Sequence, residues 1–181
     1  MNDERILTRD VEATMIPHGT PYPIKKGETV TITHRLGGNF TITTGFGMYR
    51  IGAADADALG EETVEEAKEK TFDEVAEPPT DGEVRKVLED VFDPEIPVNV
   101  VDLGLIYEVR VEKEKTGGYF VEADLTLTAP GCGMGPVIAE DCRQRILTMP
   151  SVADARVEVV WDPPWSQDMI SEKGKMELGL L

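Results

Sequence analysis

The chain has 181 residues, of which 40% are hydrophobic, and this suffices for one packed domain or two small ones. Its 35 acidic residues outnumber 18 basic ones, and a formal net charge of -17 argues against nucleic acid or anionic membranes as main partners. The sequence shows no signal peptide, no run of the roughly 20 apolar residues that a membrane-spanning helix needs, and too few cysteines for a disulfide framework. We therefore predict a cytoplasmic protein with free thiols.

The charge divides the chain into three parts. Residues 1–52 carry a net charge of +1, residues 53–79 of -8 and residues 80–181 of -10. We predict a small β-rich domain over 1–52, a helical or loosely helical acidic linker over 53–79, and a second domain over 80–181. A solvated acidic face without a binding role is the favoured interpretation of the linker.

The N-terminal part has the pattern of β-strands. Residues 28–36 and 38–44 alternate polar and apolar side chains around Gly37 and Gly38, which predicts a hairpin, and residues 48–51 add a short strand. Pro17, Pro21 and Pro23 predict a loop before them. We expect these strands to form a compact, barrel-like domain.

The C-terminal part mixes helical and strand patterns. A first helix has the helical apolar spacing of Val84, Val87, Leu88, Val91 and Phe92, and it begins at a capping box of Thr80 and Glu83. Pro94 is predicted to end it.

The rest of this part predicts three strands and a second helix. Strands over 105–111 and 119–127 form a hairpin, with Leu105, Tyr107, Val109 and Val111 on one face of the first. A helix over 136–148 and a strand over 155–161 follow, and 167–181 is a candidate short helix. The order α-β-β-α-β predicts an α+β domain with at least three strands and with helices on one face of the sheet.

Cys132 is the strongest candidate for chemistry. It lies between a predicted strand end and a helix start, where helix-end N–H groups stabilise a thiolate, and Gly131 and Gly133 leave space for a ligand. A glycine-rich turn with an incidental thiol is the alternative. Cys142 lies on the apolar stripe of the second helix and is predicted to be a core residue.

Several polar residues accompany this cysteine as candidates. Asp93 and Glu95 flank a proline and could orient a ligand or polarise the thiol, or Asp93 could simply bond local amides. Asp102 precedes Gly104 in a similar turn, for which a structural role is somewhat favoured. Thr128 could donate a hydrogen bond to a thiolate or cluster sulfide, or be an ordinary strand residue.

Trp161 and Trp165 are the only tryptophans and enclose Pro163 and Pro164. They form either a partner-binding hot spot or a lid on the domain's own core. The sequence contains no nucleotide-binding P-loop, no GxSxG motif and no HExxH motif.

Three segments together resemble a known family. The sequences DPEIPVNVVDLGLIYEV (93–109), LTLTAPGCGMGPVI (125–138) and VEVVWDPPW (157–165) are similar to those of the small iron–sulfur cluster assembly factors that include SufT and PaaD. Residues 80–178 resemble that domain throughout, and the N-terminal half resembles the extension of the longer bacterial members. Many relatives have proline directly after the motif cysteine, where this chain has Gly133.

The resemblance implies a non-enzymatic maturation factor that helps iron–sulfur clusters reach client proteins. It implies that Cys132 contacts a transient cluster, with Asp93, Glu95 and Thr128 at the family's motif positions. Because a cluster usually takes four thiolates, the remaining ligands would come from a homodimer partner, a SUF-type assembly or carrier protein, or an apo client. An adaptor that never touches the cluster and a thiol redox protein are the alternatives.

Overall fold

The computed structural model describes residues 3–36, 38–62, 72, 76–131 and 133–181, apart from the side chain of residue 36. The chain divides into two compact units, of which the first comprises residues 1–66 and 132–134 and the second residues 67–131 and 135–181. None of the helices in the described part of the chain combines the length and the apolar character of a membrane-spanning segment.

The N-terminal unit contains a six-stranded antiparallel sheet. Its strands are β1 (Asp3–Ile6), β2 (Val11–Ile16), β3 (Pro21–Ile24), β4 (Thr29–Leu36), β5 (Asn39–Thr44) and β6 (Gly47–Ile51). They are ordered β1-β4-β5-β6-β2-β3. Within the described residues no ladder joins β1 to β3, so these are the two edge strands.

The predicted β-rich character is confirmed, although half of the strands were not anticipated. β4, β5 and β6 match the predicted strands, whereas β1 and β2 were missed. The predicted loop at Pro21 and Pro23 is wrong, because both prolines lie in β3, opposite Thr14 and Glu12 of β2. An edge strand tolerates proline since one side of its backbone needs no ladder partner.

The core of the N-terminal unit extends past the sheet. A 3-10 helix, Ala53–Leu59, contributes the buried side chains of Ala56, Ala58 and Leu59 to the cluster that the strands form. The Thr8 N–H donates to the Ala58 carbonyl over 3.0 Å. The first residues of the predicted acidic linker therefore pack against the sheet, while residues 63–71 and 73–75 lie outside the described residues.

The C-terminal unit has the predicted α-β-β-α-β order. Its elements are α1 (Asp81–Leu88), β7 (Ile106–Lys113), β8 (Tyr119–Leu125), α2 (Gly135–Leu147) and β9 (Val152–Val159), followed by a 3-10 helix (Gln167–Met169) and α3 (Glu172–Glu177). β8 is the central strand, antiparallel to β7 and parallel to β9. The α+β fold and the short C-terminal helix are thus confirmed.

One face of this sheet is buried. Tyr119, Val121, Ala123 and Leu125 alternate as buried residues along β8. The predicted apolar stripe of α2 is buried as well, and it consists of Ile138, Cys142, Ile146 and, just after the helix, Met149. Cys142 is fully buried, so its predicted place in the core is confirmed.

Two local predictions in this unit are wrong. α1 ends at Leu88, well before Pro94. Val91 and Phe92 fit the helical spacing of apolar residues, but Val91 is buried in the loop after the helix and Phe92 forms a bridge with Asn99.

In β7 the register shifts between Ile106 and Val109, so that Ile106 faces Leu125 and Val109 faces Ala123. This bulge removes Tyr107 from the face on which simple alternation puts it.

Candidate functional site at one end of the three-stranded sheet

The three motif segments meet at one end of the β7-β8-β9 sheet. Ile106 at the start of β7 is paired with Leu125 at the end of β8, and the Thr126 N–H donates to the Leu105 carbonyl over 2.8 Å. The Val160 N–H, just after β9, donates to the Leu125 carbonyl over 2.8 Å. The DLGL turn, the loop after β8 and the Trp–Asp–Pro–Pro–Trp corner are therefore neighbours.

The loop after β8 has buried residues at both ends and exposed residues at 129–131. Leu127 and Met134 are buried, whereas residues 129–131 are exposed and Thr128 is half-buried. Gly135 begins α2, and a Cβ there would lie 2.8 Å from Leu127 Cδ1. The loop is thus fixed by apolar packing at the places where it leaves β8 and enters α2.

Cys132 itself lies outside the described residues. Its neighbours Gly131 and Gly133 are exposed and half-buried respectively. Gly131 has a φ of +83°, a left-handed conformation that favours glycine, and a Cβ at this position would meet no neighbouring atom. The requirement for glycine at 131 is therefore one of backbone conformation and not of space.

Asp93 is a buried carboxylic acid. It is 7% exposed, and its side chain accepts a hydrogen bond from the Glu95 N–H over 2.8 Å. Burial raises the pKa of Asp93, although the bonds from the Glu95 and Ile96 amides oppose the shift. The Glu95 side chain is exposed. Asp93 therefore closes the turn after α1, and it does so at the expense of desolvating a charge.

Asp102 joins the DLGL turn to the C-terminal segment. Its carboxylate accepts hydrogen bonds from Ser171 Oγ (2.7 Å), Asn99 Nδ2 (2.6 Å) and Lys173 Nζ (3.2 Å). Partial burial would raise the pKa of Asp102, but these three donors outweigh it and lower the pKa. The Ser171 N–H also donates to the Asp102 carbonyl over 2.8 Å. Asp102 thus fastens the start of α3 beside the motif end of the sheet.

Gly104 permits a close approach of the same segment. Its φ is +73°, and a Cβ there would lie 2.2 Å from the Met169 carbonyl oxygen. Any larger residue at this position would push the 3-10 helix Gln167–Met169 away from the turn.

The two tryptophans have different environments. Trp165 is half-buried and its Nε1 donates to the Leu103 carbonyl over 2.7 Å, so it covers the domain's own turn. Trp161 is 49% exposed. Trp165 therefore contacts the domain's own turn, whereas partner binding by Trp161 stays a prediction.

Comparisons with known proteins connect this geometry to a family. A family model described as "Iron-sulfur cluster assembly protein" matches residues 81–159. A "Fe-S protein maturation auxiliary factor" of Porphyromonas gingivalis is 41% identical over 102 residues, which are 56% of this chain and 93% of that protein. The chain belongs to the iron–sulfur cluster assembly protein family.

Two further relatives have similar coverage. The "Fe-S protein maturation auxiliary factor SufT" of Staphylococcus aureus is 40% identical over 90 residues, which are 50% of this chain and 98% of that protein. The solved structure of a domain of unknown function from Bacillus anthracis is 34% identical and covers 55% of this chain and 92% of that one, with a TM-score of 0.47.

The family match covers only part of the sheet-end arrangement. Asp93, Asp102, Thr128 and Cys132 lie within the matched residues 81–159, whereas Trp161, Trp165 and Ser171 follow them. Sequence reasoning missed Asn99, Ser171 and Lys173 as partners of Asp102. Serine is a common residue at the start of a helix, and Ser171 Oγ accepts a hydrogen bond from the Gly174 N–H at the start of α3. Nothing in the sequence indicates that the same hydroxyl contacts Asp102.

Proposed function

We propose that this protein assists the maturation of iron–sulfur proteins and contacts the cluster, as cargo, through Cys132. Membership of the iron–sulfur cluster assembly protein family carries the proposal, supported by relatives named as maturation auxiliary factors. The loop that contains Cys132 begins at the end of β8, beside the start of β7, and its residues 129–131 are exposed. We propose that the cluster approaches the protein at this loop.

The cysteine inventory favours transfer over storage. A cluster usually takes four thiolate ligands, and this chain has two cysteines. Cys142 is fully buried in α2, and burial raises the pKa of its thiol, with the charge of Asp141 adding to the shift. One chain therefore offers one available thiolate. We propose that a second copy, a carrier protein or the apo client supplies the others, and that incomplete ligation lets the cluster leave.

The polar residues near the motif would support this role. Thr128 is half-buried within the loop, and its hydroxyl could donate a hydrogen bond to a cluster sulfide. Asp93, Glu95 and Asp102 shape the neighbouring turns, and we propose that they position the loop and its protein partners. The protein would act by binding and handing over, without turnover of a substrate of its own.

Anaerobic cluster reconstitution tests the proposal. The wild-type protein, a Cys132→Ser variant and a Cys142→Ala variant are each incubated with iron and sulfide, and visible absorption is recorded after desalting. We expect cluster absorption in the wild type and in Cys142→Ala, and its loss in Cys132→Ser. Cys142→Ala is a matched control because it removes a thiol that the core encloses; its effect should be on thermal stability.

Maturation of an apo iron–sulfur client in a strain carrying each variant gives the functional readout. Cys132→Ser should abolish the contribution of this protein, whereas Cys142→Ala should retain it if the protein accumulates. The exposure of Trp161 favours a second candidate function, an adaptor that binds carrier and client without touching the cluster. Undiminished maturation with Cys132→Ser, combined with its loss in Trp161→Ala, would establish the adaptor and contradict the cluster contact.

A further inference from the structure

The C-terminal unit has an open groove of about 770 Å³ beside the motif end of its sheet. We call it the corner groove, and we define it by Arg85, Tyr107, Glu108, Asp162, Pro163 and Met169, which line it. Ile106 and Val160 also line it, and both are adjacent to Leu125 at the end of β8. A molecule in the corner groove would therefore lie close to the start of the loop that contains Cys132.

The walls of the corner groove are held together by specific contacts. Tyr107 Oη donates to the Pro163 carbonyl over 2.7 Å, which joins the β7 bulge to the segment after β9. Tyr107 Oη also lies 3.6 Å from the sulfur of Met169. The close approach of Met169 to Gly104 fixes the far wall. Because the groove is preformed, a ligand would not have to order it on binding.

The lining combines apolar surface with carboxylates. Met169 is 36% exposed, and Trp161, next to the lining residue Asp162, is 49% exposed. Glu108, Asp124 and Asp162 contribute three carboxylates, and Arg85 contributes one guanidinium, which pairs with Asp81. Arg110 donates to both Glu108 and Asp124, so these four carboxylates and two guanidinium groups leave the groove with a net charge of -2. The lining therefore combines the apolar side chain of Met169 with a net negative charge.

We infer that the corner groove binds a segment of a partner polypeptide that carries Lys or Arg beside an apolar anchor side chain. The apolar anchor would pack on Met169, and the cations would pair with Asp162 and share Glu108 with Arg110. This assignment rests on the proposed function, in which the partner is a cluster carrier or an apo client that must come close to Cys132. Binding in the corner groove would select partners by charge and by an apolar side chain.

Peptide titration of the full chain tests the groove. The probe is a short fluorescein-labelled peptide of alternating leucine and lysine, followed by anisotropy and by amide chemical-shift mapping. We expect binding with shifts concentrated at residues 104–108 and 160–169, and a matched leucine–glutamate peptide should not bind. Glu108→Lys combined with Asp162→Lys should weaken binding about tenfold or more, because the two substitutions turn the net charge of the groove from negative to positive.

A control separates the groove from general acidity. Glu112→Lys combined with Glu177→Lys makes the same change of net charge at two exposed positions outside the groove, and it should leave binding within about twofold. Met169→Gln, which keeps the side-chain length, should also weaken binding by removing the apolar anchor. Equal loss in the control variant, or shifts spread away from the groove, would overturn the inference.

A second copy of the chain as occupant would equally overturn it. This outcome would appear as a wild-type dimer in sedimentation that the groove variant converts to monomer. Cluster reconstitution of the groove variant distinguishes this inference from the proposed function. Retained cluster absorption with lost peptide binding supports the groove. Loss of cluster absorption in Cys132→Ser tests the cluster contact alone and is independent of peptide binding in the groove.

Discussion

Among single residues, Asp93 is a carboxylic acid whose charged form is disfavoured by burial. It is 7% exposed and its pKa is raised, while its side chain accepts a hydrogen bond from the Glu95 N–H. Asparagine can accept the same bond without a charge. We therefore expect Asp93→Asn to raise the free energy of unfolding at pH 7 by up to about 1 kcal/mol. If the carboxylate serves the proposed maturation role, client maturation should fall in the same variant.

The free energy of unfolding of the wild type should fall with rising pH relative to that of Asp93→Asn. A raised pKa in the folded state means that protonated Asp93 contributes stability that is complete below about pH 4 and lost as pH rises through the raised pKa. The stability advantage of Asp93→Asn should therefore grow from pH 4 to pH 7 in urea titrations. An advantage that is independent of pH would show that the carboxylate is not desolvated. Unchanged maturation would assign Asp93 to the turn alone.

The sequence predicted part of the arrangement at the motif end of the sheet but not the environments of the two tryptophans. The predicted hairpin of β7 and β8 brings the DLGL turn next to the loop after β8, where the Thr126 N–H donates to the Leu105 carbonyl. The different environments of Trp161 and Trp165 were not predictable, since both follow the last strand within six residues. Only the tertiary contact of Trp165 with Leu103, 62 residues earlier, distinguishes them.

At the scale of elements, two arginines cap carbonyls on the edge strands of the three-stranded sheet. Arg85 from α1 donates to Ile106 and Tyr107 of β7, and Arg143 from α2 donates to the Ala155 carbonyl of β9 over 2.9 Å. Exposed edges of this kind are templates for unwanted strand pairing. Arg143→Ala should lower the free energy of unfolding by about 1 kcal/mol and increase light scattering on heating.

Arg156 provides the matched control, because it lies on β9 next to Ala155, whose carbonyl Arg143 contacts. It pairs with the side chains of Glu158 and Glu122 on the surface, so Arg156→Ala should change the free energy of unfolding by no more than about 0.5 kcal/mol. Scattering should stay at the wild-type level. If both variants behave alike, the backbone contact of Arg143 has no protective role and only its charge matters.

Elements were predictable where periodicity and burial agree. β8 alternates without interruption and α2 has a complete apolar stripe, so both were found from the sequence. The β7 bulge and the early end of α1 were not, because Tyr107, Val91 and Phe92 fit the simple period yet use their apolar surface in loops or turns. β3 was missed because its prolines are tolerated only at an edge, and the strand order was not known.

At the scale of the whole molecule, the contacts indicate where the chain can be cut. Tyr119 Oη donates to the Ala76 carbonyl over 2.8 Å, and a Cβ on Gly118 would lie 2.7 Å from Phe72 Cδ1. The C-terminal unit therefore uses residues ahead of the boundary at 80 that charge and prolines predict. We expect a fragment of residues 72–181 to unfold cooperatively and to be about 1–2 kcal/mol more stable than 80–181. Urea unfolding followed by circular dichroism measures both.

The N-terminal boundary is tested in the same way. A fragment of residues 1–52 contains all six strands but lacks Ala56, Ala58 and Leu59, which are buried in the core of that unit. It also lacks the Ala58 carbonyl that accepts from the Thr8 N–H. Removing three buried side chains exposes the apolar face of the sheet, so residues 1–52 should bind a hydrophobic dye and lack dispersed amide resonances, whereas residues 1–62 should fold. A well-dispersed spectrum for residues 1–52 would instead put the end of the domain at the point where the charge pattern changes.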